Sequence, residues 1–436
     1  MNVIPTESEL KPRDLYLQQL IAFQDTALVK VISGIRRCGK SSLMKLMIRH
    51  LRESGIKDEQ IIEMNFESMQ YQRLSAVELY EQVIARRLPD QKMYLFFDEI
   101  QRIPDWQDAV NSFRVDFSCD VYLTGSNAYL LSSEYATYLA GRYVEIKMLP
   151  LSFREFIEFN NYRIAEDNSP DTRKRIIDAA GQTHDVHELF DSYLKFGGMP
   201  GIIDVGLVQD RAFALLDGIY STVVMRDILE RERLRGQRQI TDADLLRKIV
   251  MFLADNVGNS TSINSISNTL VSEGLLEKDK KPAAKTVQTY VSALLESYIF
   301  YEIKRFDIKG RDYLRTLGKY YIVDIGLRNY LLGYRDLDRG HILENIVYLE
   351  LLRRGYDVAV GKIREKEIDF IATKVDDKKY IQVTESMNSP ETRERELAPL
   401  RMVSDNYEKI VIALDSNFQT TEGGIKIVRL LDFLLS

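Results

Sequence analysis

The stretch Gly34-Ile35-Arg36-Arg37-Cys38-Gly39-Lys40-Ser41 places two glycines, a lysine and a serine at the spacing G-x-x-x-x-G-K-[ST]. Small residues let the backbone curl until its N–H groups converge on an anion, and a helix that starts there adds partial positive charge. In such a loop Lys40 reaches the β- and γ-phosphates of a nucleotide, and Ser41 sets its hydroxyl on Mg²⁺. Gly34, Cys38, Gly39, Lys40, Ser41 and Ser42 are the candidate nucleotide-binding residues; Cys38 is a small residue that the loop tolerates. Arg36 and Arg37 face either phosphate or solvent. The surroundings fit the motif. Leu28 to Ile32 reads as a buried strand, Leu43, Leu46, Met47 and Leu51 fall at helical spacing, and Gly55 supplies a stop.

Further on, the apolar run Met93-Tyr94-Leu95-Phe96-Phe97 is closed by Asp98-Glu99. Asp98 is the expected Mg²⁺ ligand, directly or through water, and Glu99 the general base that polarises the attacking water. Strand-like segments at Ile61–Phe66, Met93–Phe97, Val121–Leu123 and Val144–Ile146 alternate with helical ones. That alternation builds an α/β fold with a parallel sheet, whose ligands sit at the carboxyl ends of the strands. ATP and Mg²⁺ are the expected ligands.

The bulk numbers set bounds. A chain of 436 residues suggests about three domains at the usual ~100–200 residues each. A formal net charge of −6 excludes a strongly basic nucleic-acid coat but leaves room for local basic faces. The two cysteines, Cys38 and Cys119, are too few for a disulfide framework or a zinc cluster and fit a reducing cytoplasm. Met1 to Glu7 has no basic segment leading into an apolar one, so no signal peptide is expected. With no run of about 18 apolar residues, no membrane span is expected either.

The order of parts resembles an AAA+-type ATPase of the predicted prokaryotic class. The resemblance rests on Ser33 to Ser42, Leu95 to Gln101, Tyr122 to Asn127, Gly141-Arg142-Tyr143 and Leu149 to Phe156. It implies a polar water-orienting residue at the end of the fourth strand, where Thr124, Ser126 and Asn127 all lie; Ser126 is the choice made here. It also implies an arginine finger for a neighbouring subunit's γ-phosphate at Arg142, and hence a homo-oligomer. The rival role for Arg142 is a helix cap. Residues 1–150 would be the ATPase core, and 151–240 a helical lid that closes on nucleotide.

Within 241–335, three amphipathic helices precede a basic hairpin from Lys304 to Arg311, an arrangement that looks like a winged helix. In that fold the third helix, with Lys285 and Gln288, enters the major groove of DNA, and the wing, with Lys304, Arg305, Lys309 and Arg311, touches phosphate. Winged helices also serve as protein-interaction modules.

Residues 336–436 resemble the PD-(D/E)xK nuclease core, which implies metal-binding roles for Glu344 and Asp369. Gln382-Val383-Thr384 stands where that family carries Glu-x-Lys, so the lysine that activates water is missing, Gln382 is a weaker ligand, and a nuclease-like fold that has lost catalysis is expected ahead of an active nuclease. The expected fold is thus α/β: a P-loop NTPase sheet with a helical lid, a winged helix and a nuclease-like end. The expected activity is Mg²⁺-dependent ATP hydrolysis acting on DNA or a DNA-bound partner. The alternatives are a nucleotide-gated binding module with negligible turnover and an ATPase-coupled, metal-dependent nuclease.

Overall fold

The strand Val29–Ser33 (β1) is buried at all five positions, and Met93–Asp98 (β3) at all six. Strands covered on both faces read as continuous apolar runs rather than alternating ones. The computed structural model describes residues 10–71, 73–126, 141–165, 174–229, 240–272, 282–310, 312–335, 339–415 and 420–436. They divide into two units, Met1–Met148 with Glu296–Tyr298 and Leu149–Leu295 with Ile299–Ser436.

In the first unit, Ile61–Asn65 (β2), β3, Cys119–Gly125 (β4), β1 and Tyr143–Lys147 (β5) lie side by side in that order. Every neighbouring pair is parallel. The carboxyl ends of all five strands therefore share one edge, and β4 lies between β1 and β3. Leu79 and Val83 of the Ala76–Arg86 helix and Val110 and Phe113 of the Trp106–Asp116 helix pack on Leu95 and Phe97. The Lys40–Glu53 helix buries Leu43, Leu46, Met47 and Leu51, the apolar stripe its spacing predicts.

One charge lies deep in this unit. Lys30 of β1 is fully buried and paired with Asp120 of β4. Asp120 also accepts the Tyr122 hydroxyl at 2.9 Å and the Asp25 N–H at 2.8 Å. The pair keeps its charge inside only because these partners fill the lone pairs that burial would otherwise strand.

The second unit holds a nine-stranded mixed sheet. It combines Ser260–Thr261 (β9), Phe300–Asp307 (β10), Asp312–Ile322 (β11), Asp357–Ile363 (β12), Lys366–Thr373 (β13), Lys378–Ser386 (β14), Glu408–Asp415 (β15), Thr420–Glu422 (β16) and Ile425–Arg429 (β17). The hairpin β10–β11 follows helices Ala243–Asp255, Ile263–Ser272 and Ala284–Glu296. Strand β10 also pairs in parallel with β12, Arg305 opposite Val360, so the hairpin and the carboxyl-terminal strands form one sheet. Residues 161–182, the most loop-like part of the sequence, contain strands Arg163–Ala165 (β6) and Arg175–Ile177 (β7), which join Thr183–His184 (β8) in a small antiparallel sheet. Strands of two or three residues are too short to impose a readable alternation. Among the described residues, no helix is long and apolar enough to cross a membrane.

Candidate functional site: a phosphate loop facing two acids

The loop after β1 requires its glycines. Gly34 sits at φ +141°, and a methyl group there would lie 2.2 Å from the Met148 carbonyl oxygen. Gly39, at φ +105°, opens the Lys40–Glu53 helix in a left-handed conformation with no side chain capping it and no acid in its first turn. Its first N–H groups are thus available to an anion, with no acid of its own in that turn to compete. Lys40 is buried and folded back, its Nζ donating to the carbonyls of Gly34 at 3.0 Å and Ile35 at 3.1 Å. The Cys38 thiol is buried, and burial pushes its pKa up, so the residue offers the site only backbone. The Cys38 carbonyl accepts from Arg13 at 3.2 Å. Ser41 is exposed and Ser42 half-buried.

The end of β3 faces this loop. The Asp98 carboxylate accepts the Thr124 hydroxyl and the Asn65 amide at 2.9 Å, with the Ser41 hydroxyl close by. Burial raises its pKa, while the two hydroxyls and the Lys40 charge pull the other way. Glu99 is left-handed at φ +57°, and its N–H donates to Thr124 Oγ1 at 2.9 Å. Its Oε2 accepts from Ser126 Oγ at 3.1 Å and from Gln101 Nε2 at 2.5 Å. Lys40, Ser41, Asp98, Glu99 and Ser126 are thereby gathered at one edge of the sheet. Asn127 lies outside the described residues. Arg142 is exposed at the start of β5, where its carbonyl accepts the Val29 N–H at 2.9 Å.

These residues fit Mg²⁺. Ser41 and Asp98 present hard oxygen donors in mutual contact, and Mg²⁺ usually takes one or two protein ligands beside phosphates and water. Among the described residues, no three acidic, histidine or cysteine side chains form a cage. Sequence reasoning missed Asn65, Thr124 as the clamp on Asp98, and Gln101. Asn65 had a signal, a polar residue closing an apolar strand directly across from Asp98 in the β2–β3 register.

A second cluster lies in the other unit. A cavity of about 760 Å³ is lined by His341, Glu344, Glu367, Asp369, Gln382 and Glu396, among others. Gln382 Oε1 accepts the Asp369 N–H at 2.8 Å, and its Nε2 donates to Glu396 at 3.0 Å. Lys319, reaching in from β11, lies 2.8 Å from Glu367 and 3.4 Å from Glu344. Burial disfavours its charge, but Glu344, Asp369 and Glu367 outweigh burial and raise its pKa. Burial and the neighbouring Glu344 push Asp369 well above the carboxylate range. Burial would raise Glu344 too, yet His341, Lys319 and Tyr321 together hold it low. Lys319 belongs to a hairpin expected in a different domain, so spacing gave no hint of it.

The basic residues of the hairpin and of the helix before it are less uniform. Lys285, Gln288, Lys304 and Lys309 are exposed. Arg305 is mostly buried, with its Nε 3.8 Å from Glu367. Arg311 lies outside the described residues.

A family model of an AAA domain matches residues 26–157, and one of a domain of unknown function matches residues 187–338. An uncharacterized protein of Haemophilus influenzae is 41% identical over 97% of this chain and 98% of its own length. The uncharacterized protein MJ1544 of Methanocaldococcus jannaschii is 30% identical over 85% of this chain and 77% of its own. Among solved structures, the Walker-type ATPase PABY2304 of Pyrococcus abyssi aligns with a TM-score of 0.47 and 16% identity, over 74% of this chain and 96% of that one. The RuvB Holliday junction branch migration motor of Thermotoga maritima aligns at 0.29 and 14%, over 67% and 90%. The chain belongs to the family of the Haemophilus influenzae protein and MJ1544, and its first unit carries an AAA domain, a nucleotide-binding core of the P-loop ATPase class.

Proposed function

We propose that the chain is a Mg²⁺-dependent ATPase whose hydrolysis drives an action on DNA or on a DNA-bound partner. The observation that carries the first half is the meeting of the phosphate loop with the acid at the end of β3, the Ser41 hydroxyl and the Lys40 charge both acting on the Asp98 carboxylate. Loop, metal ligand and base then surround a single triphosphate. Lys40 leaves the Gly34 and Ile35 carbonyls for the β- and γ-phosphates, and the helix N-terminus holds their charge. Ser41 and Asp98 hold Mg²⁺, which when bound neutralises charge on the phosphate oxygens. Glu99 takes the proton of the attacking water, and Ser126 orients that carboxylate. Arg142, exposed at the rim of its unit, serves the γ-phosphate of a second copy. The exposed Lys285, Gln288, Lys304 and Lys309 support the DNA half of the proposal.

The test is phosphate release from ATP by wild type, Lys40→Ala and Glu99→Gln. Wild type should turn over in Mg²⁺, and both variants should fall by about 10²-fold or more. Equal rates in all three would reject the assignment. A rise in rate on adding duplex DNA tests the second half.

The charged cavity favours one further reading, metal-dependent cleavage of nucleic acid. Glu344, Asp369 and Gln382 all line the cavity, and Lys319 brings the cation that the Gln382 strand lacks. Plasmid incubated with Mg²⁺ or Mn²⁺ should then be cut by wild type and not by Asp369→Ala.

A further inference from the structure

Gln101 stands two residues beyond Glu99, on the single helical turn Ile100–Arg102. Its Nε2 lies 2.5 Å from Glu99 Oε2. A carboxylate only accepts, so the nitrogen must face it and the amide oxygen must point away. That oxygen is buried and has no hydrogen-bond partner among the described residues. Ser126 Oγ meets the same Glu99 oxygen at 3.1 Å. Two donors thus pin one oxygen of the carboxylate beside an idle acceptor, on the turn next to the phosphate loop.

We propose that Gln101 is a further residue of the hydrolytic site, positioning Glu99 through its nitrogen and accepting an O–H of the attacking water at its oxygen. The inference rests on the ATPase reading above. The water oxygen forms a bond to the γ-phosphorus, and its proton passes to Glu99 Oε1. The bond from the γ-phosphorus to the bridging oxygen breaks, and its electron pair leaves with ADP. A water with one hydrogen on Glu99 and the other on Gln101 has its lone pair fixed in direction, and misplacement of about 1 Å costs as much as 10²-fold in rate. Gln supplies both functions because its amide is donor at one atom and acceptor at the other.

Steady-state ATPase kinetics and nucleotide affinity of the full chain test this, using wild type, Gln101→Leu, Gln101→Glu, Glu99→Gln and Glu99→Gln/Gln101→Leu. Gln101→Leu keeps the shape and should lower kcat by about 10- to 100-fold, with ATP affinity unchanged within about twofold. Gln101→Glu keeps the size but replaces the donor with a like charge beside Glu99, and should lower kcat by about 10-fold or more with ATP affinity again unchanged within about twofold. Combining Gln101→Leu with Glu99→Gln should cost little beyond Glu99→Gln alone, because both act on one water. An unchanged kcat for Gln101→Leu, a loss confined to KM and affinity, or full additivity in the double variant would overturn the proposal. Lys40-dependent turnover with Gln101 variants as fast as wild type would sink this inference and leave the ATPase reading standing. Absence of Lys40-dependent turnover in wild type would sink both. If Gln101→Leu does not fold, the split between kcat and ATP affinity in Gln101→Glu decides.

Discussion

The Ser41 hydroxyl lies beside the Asp98 carboxylate, bringing the first turn of the helix after β1 to the last residue of β3, a strand that does not neighbour β1 in the sheet. The contact exists because all strands of that sheet run parallel and end at one edge. Asp98→Asn keeps the shape but removes the anionic metal ligand. ATP hydrolysis should fall by about 10²-fold or more, and the Mg²⁺ concentration for half-maximal rate should rise. A metal titration of the rate measures both.

Gly34 offers a purely steric prediction. A methyl group there would meet the Met148 carbonyl oxygen at 2.2 Å, at a φ of +141°. Gly34→Ala should cost about 2 kcal/mol or more in stability, read from urea unfolding, and should lose nucleotide affinity as the loop shifts. Gly55 has a positive φ but open space around it, so Gly55→Ala should cost less, about 1 kcal/mol.

The phosphate loop and the acids at the end of β3 were legible in the sequence because each is a short run with fixed spacing. Ser126, the partner of Glu99, was legible too, but the contacts on Asp98 were not. Thr124 and Asn65 reach Asp98 across strand register, which no local pattern encodes. Lys319 is harder still. It stands among the aromatic and aliphatic residues of β11, and only the β10–β12 pairing brings its strand into the sheet that carries Asp369 and Gln382. The same pairing makes one sheet of two segments that helical and strand periodicity separate at about residue 336.

Asp324 gives a pH prediction. Its carboxylate accepts the N–H groups of Gly198 at 2.6 Å and Leu327 at 3.0 Å, yet burial pushes its pKa up to about 6. An unfolded aspartate titrates near 3.9. Between about pH 4 and 6 the folded chain keeps a proton that the unfolded chain has lost, so this contribution to stability falls as pH rises through that window. The full effect is about 3 kcal/mol. Asp324→Asn should remove this part of the slope, seen as the difference between the two proteins' urea-unfolding free energies at several pH values.

His341 and then Lys319 offset the burial of Glu344 and hold its carboxyl low, and Lys319 is the buried cation of that cluster. Lys319→Met should destabilise the fold by about 3 kcal/mol at pH 7. The loss should shrink at pH 5, where the stranded carboxylates take up protons. Equal losses at both pH values would mean that the ammonium is not what balances the cluster.

A structure of the chain with Mg²⁺ and a non-hydrolysable ATP analogue tests the central claim most directly. The account predicts that Lys40 Nζ leaves the Gly34 and Ile35 carbonyls for the β- and γ-phosphates, with Ser41 and Asp98 the protein groups nearest the metal and Gln101 Oε1 turned toward the space in line with the γ-phosphate. Lys40 still bonded to those carbonyls, with the triphosphate bound elsewhere, would contradict it.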